Sequence, residues 1–237
     1  MSNENPNKMK KYILILFVLM QVISQSYAQC SNPFYQFKEG TLFEMESYDA
    51  KGKVEGKTET RVIKWNETAS GFEATIGYKL YDKKGKLAYE GEYALECIDG
   101  VIRIDMNAFV PDQTLQAFED MEMELKMNEL EIPSELKEGQ DLEDASMELT
   151  SKGGPMPMNF VFVITDRKVE GKESVTTPAG TFDCFKISQK TNSKMMISNT
   201  EFVTIQYLAE KYGAVKTETY RSNGKLMSYS LLTKFEE

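Results

Sequence analysis

Apolar and polar residues alternate with period two along most of this chain. That pattern admits little besides β-structure, because residues two apart on an extended strand face the same way. Segments 58–65, 72–81 and 87–98 alternate so, and in the last of them Tyr89, Tyr93, Leu95 and Cys97 share a face. The pattern resumes over 156–165, 168–176, 181–190, 198–207, 214–220 and 226–235. Three turns of similar composition separate strands: Asp49-Ala50-Lys51-Gly52-Lys53-Val54, Asp82-Lys83-Lys84-Gly85-Lys86-Leu87 and Ser222-Asn223-Gly224-Lys225-Leu226. Glycine supplies the positive φ that a tight hairpin needs, and Asp, Ser or Asn supports the entry. Thr177-Pro178-Ala179-Gly180 marks a further turn. The spacing of these turns is too irregular for a solenoid or propeller.

One interruption reads as helical. Pro111 starts it, Asp112 is the candidate N-cap, and Leu115, Phe118 and Met121 give an apolar stripe at a spacing of three, so a short helix is expected over 112–121. From there Met121, Met123, Leu125 and Met127 alternate with Glu122, Glu124 and Lys126, the pattern of a strand half facing a core. Residues 151–157, with two Gly and two Pro, read as a long loop. No polar linker divides the chain. The expected fold is all-β: one antiparallel meander forming a strongly curved sheet or open half-barrel, with one short helix.

The first residues carry an address. Lys8, Lys10 and Lys11 precede an apolar run over 12–20, and Ser26-Tyr27-Ala28 is a small-residue cleavage site. Residues 1–28 therefore read as a secretory signal peptide cleaved after Ala28. Residues 29–40 follow as a mobile N-terminal tail and 41–237 as a single exported β domain, periplasmic or secreted. The mature chain shows no transmembrane segment. Gln29 stands before Cys30 where a lipobox needs a small residue, which argues against a lipoprotein.

Charge and composition narrow the function classes. The chain has 28 basic and 37 acidic residues. Three of the Lys and one of the Glu lie in the leader, leaving 25 against 36, a balance of −11. An acidic surface argues against nucleic acid and against anionic membrane headgroups as primary partners. Histidine is absent, which removes the usual general base near neutral pH and every Ser-His-Asp or Cys-His arrangement. Of the three cysteines, Cys97 and Cys184 sit in strand-like segments and are the expected disulfide pair, with Cys30 in the tail.

Several motifs yield to plainer readings. Gly52 to Thr58 resembles a phosphate-binding loop, but its first Gly is displaced by one position, and it lies between strands where such a loop must feed a helix. Ser134-Glu135-Leu136-Lys137 matches Ser-x-x-Lys, yet Gly139 ends the segment within a turn and no Ser-Asp-Asn or Lys-Thr-Gly element follows. Met121, Met123, Met156, Met158, Met195 and Met196 could offer thioethers to Cu(I), but methionine also fills irregular cores. Glu119, Asp120, Glu122, Glu124 and Glu129 read as a charged outer face, since calcium needs oxygens converging from a loop. Asn66-Glu67-Thr68 is a glycosylation sequon. No metal or cofactor is implied, and the balance is against an enzyme.

A string of phrases resembles one family. These are Cys97-Ile98-Asp99-Gly100 with Ile104-Asp105-Met106; Ile132-Pro133 with Leu136-Lys137-Glu138-Gly139-Gln140; Thr177-Pro178-Ala179-Gly180-Thr181-Phe182-Asp183-Cys184; and Gly213-Ala214-Val215-Lys216. Together they are similar to the TapB-like exported proteins of Gram-negative bacteria, related to a larger group of exported β domains of unknown function. The resemblance covers roughly residue 41 onward. It implies a curved antiparallel sheet or half-barrel without established chemistry, and it supports Cys97 and Cys184 as paired positions.

Two functions follow as expectations. The first is a non-enzymatic carrier or binding protein for an apolar or amphipathic, lipid-like ligand, with Tyr78, Tyr89, Tyr93, Phe160 and Phe162 lining a pocket. The alternative is a cell-envelope interaction module with a filled core, working through its outer face or an edge strand on another envelope protein.

Overall fold

The computed structural model describes residues 30, 32–106, 123–151, 159–195 and 198–237. They form thirteen strands in a single antiparallel sheet, and the described residues contain no α-helix. The first five strands are β1 (Leu42–Asp49), β2 (Val54–Thr68), β3 (Gly71–Asp82), β4 (Leu87–Ile98) and β5 (Val101–Ile104). Then come β6 (Met123–Asn128), β7 (Leu130–Ile132), β8 (Ala145–Ser151) and β9 (Asn159–Thr177). The last four are β10 (Gly180–Met195), β11 (Ser198–Ala209), β12 (Gly213–Arg221) and β13 (Leu226–Glu236). The helix expected over 112–121 lies outside the described residues.

The sheet order is β6-β8-β9-β10-β11-β12-β13-β1-β2-β3-β4-β5-β7. The first and last strands of the domain, β1 and β13, pair along their lengths. The two ends of the order, β6 and β7, are consecutive in the chain with only Glu129 between them. One run of backbone thus pairs with β8 through Met123–Asn128 and then with β5 through Leu130–Ile132. The expected strongly curved sheet or open half-barrel is roughly what forms, closed further than expected into a barrel with one seam, and this run straddles the seam. Closure removes most of the unpaired edge that an open sheet would expose.

Strand lengths explain where the sequence pattern misled. The described part of the expected segment 156–165 and the whole of 168–176 fall in one 19-residue strand, β9. Asp166 takes a positive φ of 51° there, and the pairing with β10 shifts register twice nearby. Such irregularities bend a long strand without ending it. In β6 the expected core-facing alternation fails at Leu125, which is 49% exposed, because β6 is a terminal strand of the order rather than an interior one.

The three similar turns are built alike. Asp49 Oδ1 accepts the amides of Lys51 (2.8 Å) and Lys53 (2.9 Å). Asp82 Oδ1 accepts those of Lys84 (2.8 Å) and Lys86 (2.9 Å). Asn223 Oδ1 accepts that of Lys225 at 3.1 Å. Each turn places its glycine, Gly52, Gly85 or Gly224, at φ near +80°, a conformation that costs other residues about 1 kcal/mol or more.

The interior is packed. A main core includes Phe34, Phe37, Phe43, Val62, Phe72, Ile76, Leu95, Val169, Ile187 and Leu232. A smaller one, near the seam, holds Met106, Leu130, Met147, Phe160 and Ile164. At the far end of β9 and β10 the Ala179 amide donates to the Leu232 carbonyl (3.2 Å). That hairpin tip therefore curls over to β13, and Phe182 stacks edge-on against Tyr212 (4.9 Å between centroids).

Candidate site at the strapped end of the barrel

Of residues 29–40, expected as a mobile tail, the described ones, 30 and 32–40, are held down by bonds to several strands. The side-chain amide of Asn32 donates to the carbonyls of Gly100 and Ile132, both at 3.0 Å, and its Oδ1 accepts the Phe34 amide at 3.1 Å. On the opposite wall the Pro33 and Phe34 carbonyls accept the amides of Lys211 (2.7 Å) and Gly213 (3.0 Å). The Gly40 amide closes the segment onto the Val62 carbonyl at 2.9 Å. The segment is a strap across one end of the barrel. Phe34 and Phe37 are buried beneath it, and rings run from Tyr35 through Phe37, Phe43 and Phe235 to Tyr212 at centroid spacings of 4.4–5.3 Å. Three aromatics within four residues are a poor composition for a solvated tail, and that signal was present in the sequence.

The strap begins in a disulfide, which joins Cys30 to Cys97 and leaves Cys184 as a buried free thiol. This corrects the expected Cys97–Cys184 pairing. The strap brings the Cys30 and Cys97 Cα atoms to 5.9 Å, well inside bridging range. Cys184 lies on β10, where it pairs with Glu173 and Ala209, and its Sγ donates to the Phe182 carbonyl at 3.5 Å. Burial pushes its thiol up to about 11, so it stays protonated and unreactive at neutral pH. Gly71 makes the close approach possible. At φ +157° its position would set a Cβ 2.0 Å from the Cys97 carbonyl oxygen and 3.0 Å from the Cys30 Cβ.

Between the strap and the β2–β3 hairpin lies a cleft of about 860 Å³. Its walls include Trp65, Phe72, Tyr35 and Phe37, with Gln36, Lys38, Glu67 and Thr68 among the polar residues. Trp65 stacks on Phe72 with centroids 3.8 Å apart. Apolar walls with a few polar groups are the usual make-up of a small-molecule site.

Behind the strap, Arg167 of β9 is 2% exposed. Its guanidinium donates to the carbonyls of Glu143 (2.5 Å) and Glu131 (2.9 Å), while Nε has no partner. Desolvation pulls this group down to about 10. Its bonds tie the 133–144 segment to β7, so it clamps the seam-crossing run. The Tyr93 phenol is pushed up to about 12 by burial. Tyr35 is raised as well, by burial first and then by Tyr93, with Arg167 acting in the opposite sense. Neither phenol ionises near neutral pH.

The five aromatic residues proposed from sequence fall into two groups. Tyr78 lies 5.8 Å from Tyr89 and 6.1 Å from Tyr93 on the β3–β4 wall, and Tyr93 packs against the main core. Phe160 and Phe162 belong to the smaller core near the seam. The cleft is lined by none of them. No cluster of three or more Cys, Asp or Glu suited to a metal ion occurs among the described residues, nor does any helix there have the length and apolarity to cross a membrane.

Two solved structures share this fold. One is a Bacteroides fragilis protein described as exported and of YmcC-like fold, at 24% identity and a TM-score of 0.68, covering 86% of this chain and 99% of its own. The other is a Parabacteroides distasonis protein described as a lipoprotein, at 24% identity and a TM-score of 0.69 with the same coverage. Among curated proteins none matches the chain. Residues 38–232, nearly the whole barrel, match the DUF3108-like family profile, and the chain belongs to that family.

Proposed function

We propose that this protein is an exported, non-enzymatic binding protein of the bacterial envelope, of the TapB-like kind, which holds an apolar or amphipathic ligand in the cleft beneath its strap. The observation that carries the reading is the stacked Trp65–Phe72 pair on the wall of a cleft of about 860 Å³. The ligand is assigned to this rim because Phe34 and Phe37 already fill the barrel at that end. Export is supported by the leader-like residues 1–28 and by the descriptions of the two structural neighbours as exported and as a lipoprotein.

Trp65 is the one tryptophan in the chain, so emission excited on the long-wavelength side of the tyrosine band reports on this cleft. Laurate and lauryl alcohol, each below its micellar concentration, serve as probes. Saturable blue-shifted emission, lost in Phe72→Ala while circular dichroism is retained, is the expected result. If neither probe gives a saturable change, the cleft is not a site for such ligands.

A further inference from the structure

The three Asp- or Asn-capped turns occupy one end of the barrel, opposite the strap. Register shows this directly. Asp49 is opposite Ser228, and the Ala50 amide donates to the Met227 carbonyl at 3.1 Å, which sets the β12–β13 turn beside the β1–β2 turn. Gly56 is opposite Asp82, which sets the β3–β4 turn on the other side. Side by side, these turns present the exposed side chains of Lys51, Lys53, Lys83, Lys84, Lys86, Arg221 and Lys225. Their two carboxylates, Asp49 and Asp82, are turned onto backbone amides. Glu55 is the nearest exposed acid in sequence. A chain of net charge −9 thus concentrates cations at one end.

The same turns carry exposed apolar side chains. Six large apolar residues are exposed among the described residues, and four of them, Val54, Leu80, Leu87 and Met227, flank these turns. Just behind, Tyr48 and Tyr229 stack at 5.0 Å, and the Lys57 ammonium lies over the Tyr81 ring at 5.2 Å. Cations at the rim, apolar side chains among them and half-buried tyrosines behind form the composition of a surface that sits at a membrane interface. Charge complementarity selects the partner, because a neutral or cationic surface gains nothing from seven clustered cations.

We propose that the end of the barrel formed by the β1–β2, β3–β4 and β12–β13 turns docks on an anionic phospholipid surface, leaving the strapped cleft facing away from it. Several modest signals acting together are what reversible membrane binding requires. The attraction is short-ranged and weakens as salt shortens the screening length.

Sedimentation of the full mature protein with phosphatidylcholine vesicles, with and without phosphatidylglycerol, tests this. Binding is expected only with phosphatidylglycerol, and raised salt should release it. Lys51→Gln/Lys84→Gln/Lys225→Gln removes three exposed charges whose side chains hold no turn together, and each should weaken binding about fivefold, about a hundredfold in all. The same change at Lys64, Lys137 and Lys168, away from these turns, should leave binding within a few-fold. Leu87→Asp should weaken it again without unfolding the hairpin. The proposal is overturned if neutral vesicles bind equally, if no vesicle binds, if the control triple variant loses as much, or if dextran sulfate competes as well as the anionic vesicles.

Discussion

The Cys30–Cys97 bridge makes a sharp prediction, because the sequence alone favoured another pair. The bridge closes a loop with a sequence separation of 67. The chain-entropy relation for a loop of that length gives about 4 kcal/mol of stabilisation, or a melting shift of about 10 °C for a chain of this size. Cys30→Ser should lose that stability and leave Cys97 and Cys184 as two free thiols when the protein is denatured without reductant. Cys184→Ser should show none and melt close to the parent, since it exchanges one small buried group for another. Thiol titration in denaturant and thermal melts read both variants. Two free thiols in Cys184→Ser and none in Cys30→Ser would establish the Cys97–Cys184 pairing and refute the strap geometry. A lipid thioether on Cys30, visible as added mass, would refute it equally, since that sulfur cannot serve both roles.

Two further outcomes follow from the same geometry. Phe34 is 1% exposed under the strap and packs edge-on against Phe185 at 5.8 Å, so Phe34→Ala should cost about 3–5 kcal/mol in urea melts, and a loss under about 1 kcal/mol would mean that the strap is not seated. Asp49 and Asp82 are held below the ordinary value of 3.8, each first by the backbone amide of the lysine four residues on. A depressed carboxylate adds stability that is fully present above its unfolded value and is lost as pH falls through its folded one. Carbon-13 titration of the two side chains should therefore show midpoints under 3.8, and midpoints at or above that value would contradict the capped turns.

Much of the barrel could be read from residue order. The span of β4 matches the alternating segment at both ends, and β3, β11, β12 and β13 extend theirs by only one or two residues at either end. Those strands keep one face on the core, so their pattern is clean. Reading failed where that condition fails. β9 shifts its pairing at bulges and looks like two strands, while β5 and β7 are too short to alternate detectably. The strap was misread because the bonds that anchor its first residues reach about 70 to 180 positions along the chain: Asn32 to Gly100 and Ile132, Pro33 to Lys211. Its buried aromatics were the available clue.

The candidate site was legible only in its ingredients. Trp65 and Phe72 lie on neighbouring strands and meet through the β2–β3 register, but nothing local to them shows that residues 35–38 will form the facing wall. Net charge is silent on such placement in the same way, since it averages over a molecule whose turn lysines lie together at one end.

By itself the sequence determined the turn chemistry, the two-faced strands, the acidic balance and the lack of histidine chemistry, all of which act over a few residues or by simple sum. The tertiary structure decided which cysteine meets Cys97, what residues 32–40 do, and which turns share an end. In an up-and-down barrel alternate turns fall at opposite ends, so gathering three basic turns opposite a strapped cleft depends on strand parity and on the β1–β13 closure. The β1–β13 pairing joins the first and last strands of the domain, and no local stretch of residues encodes it.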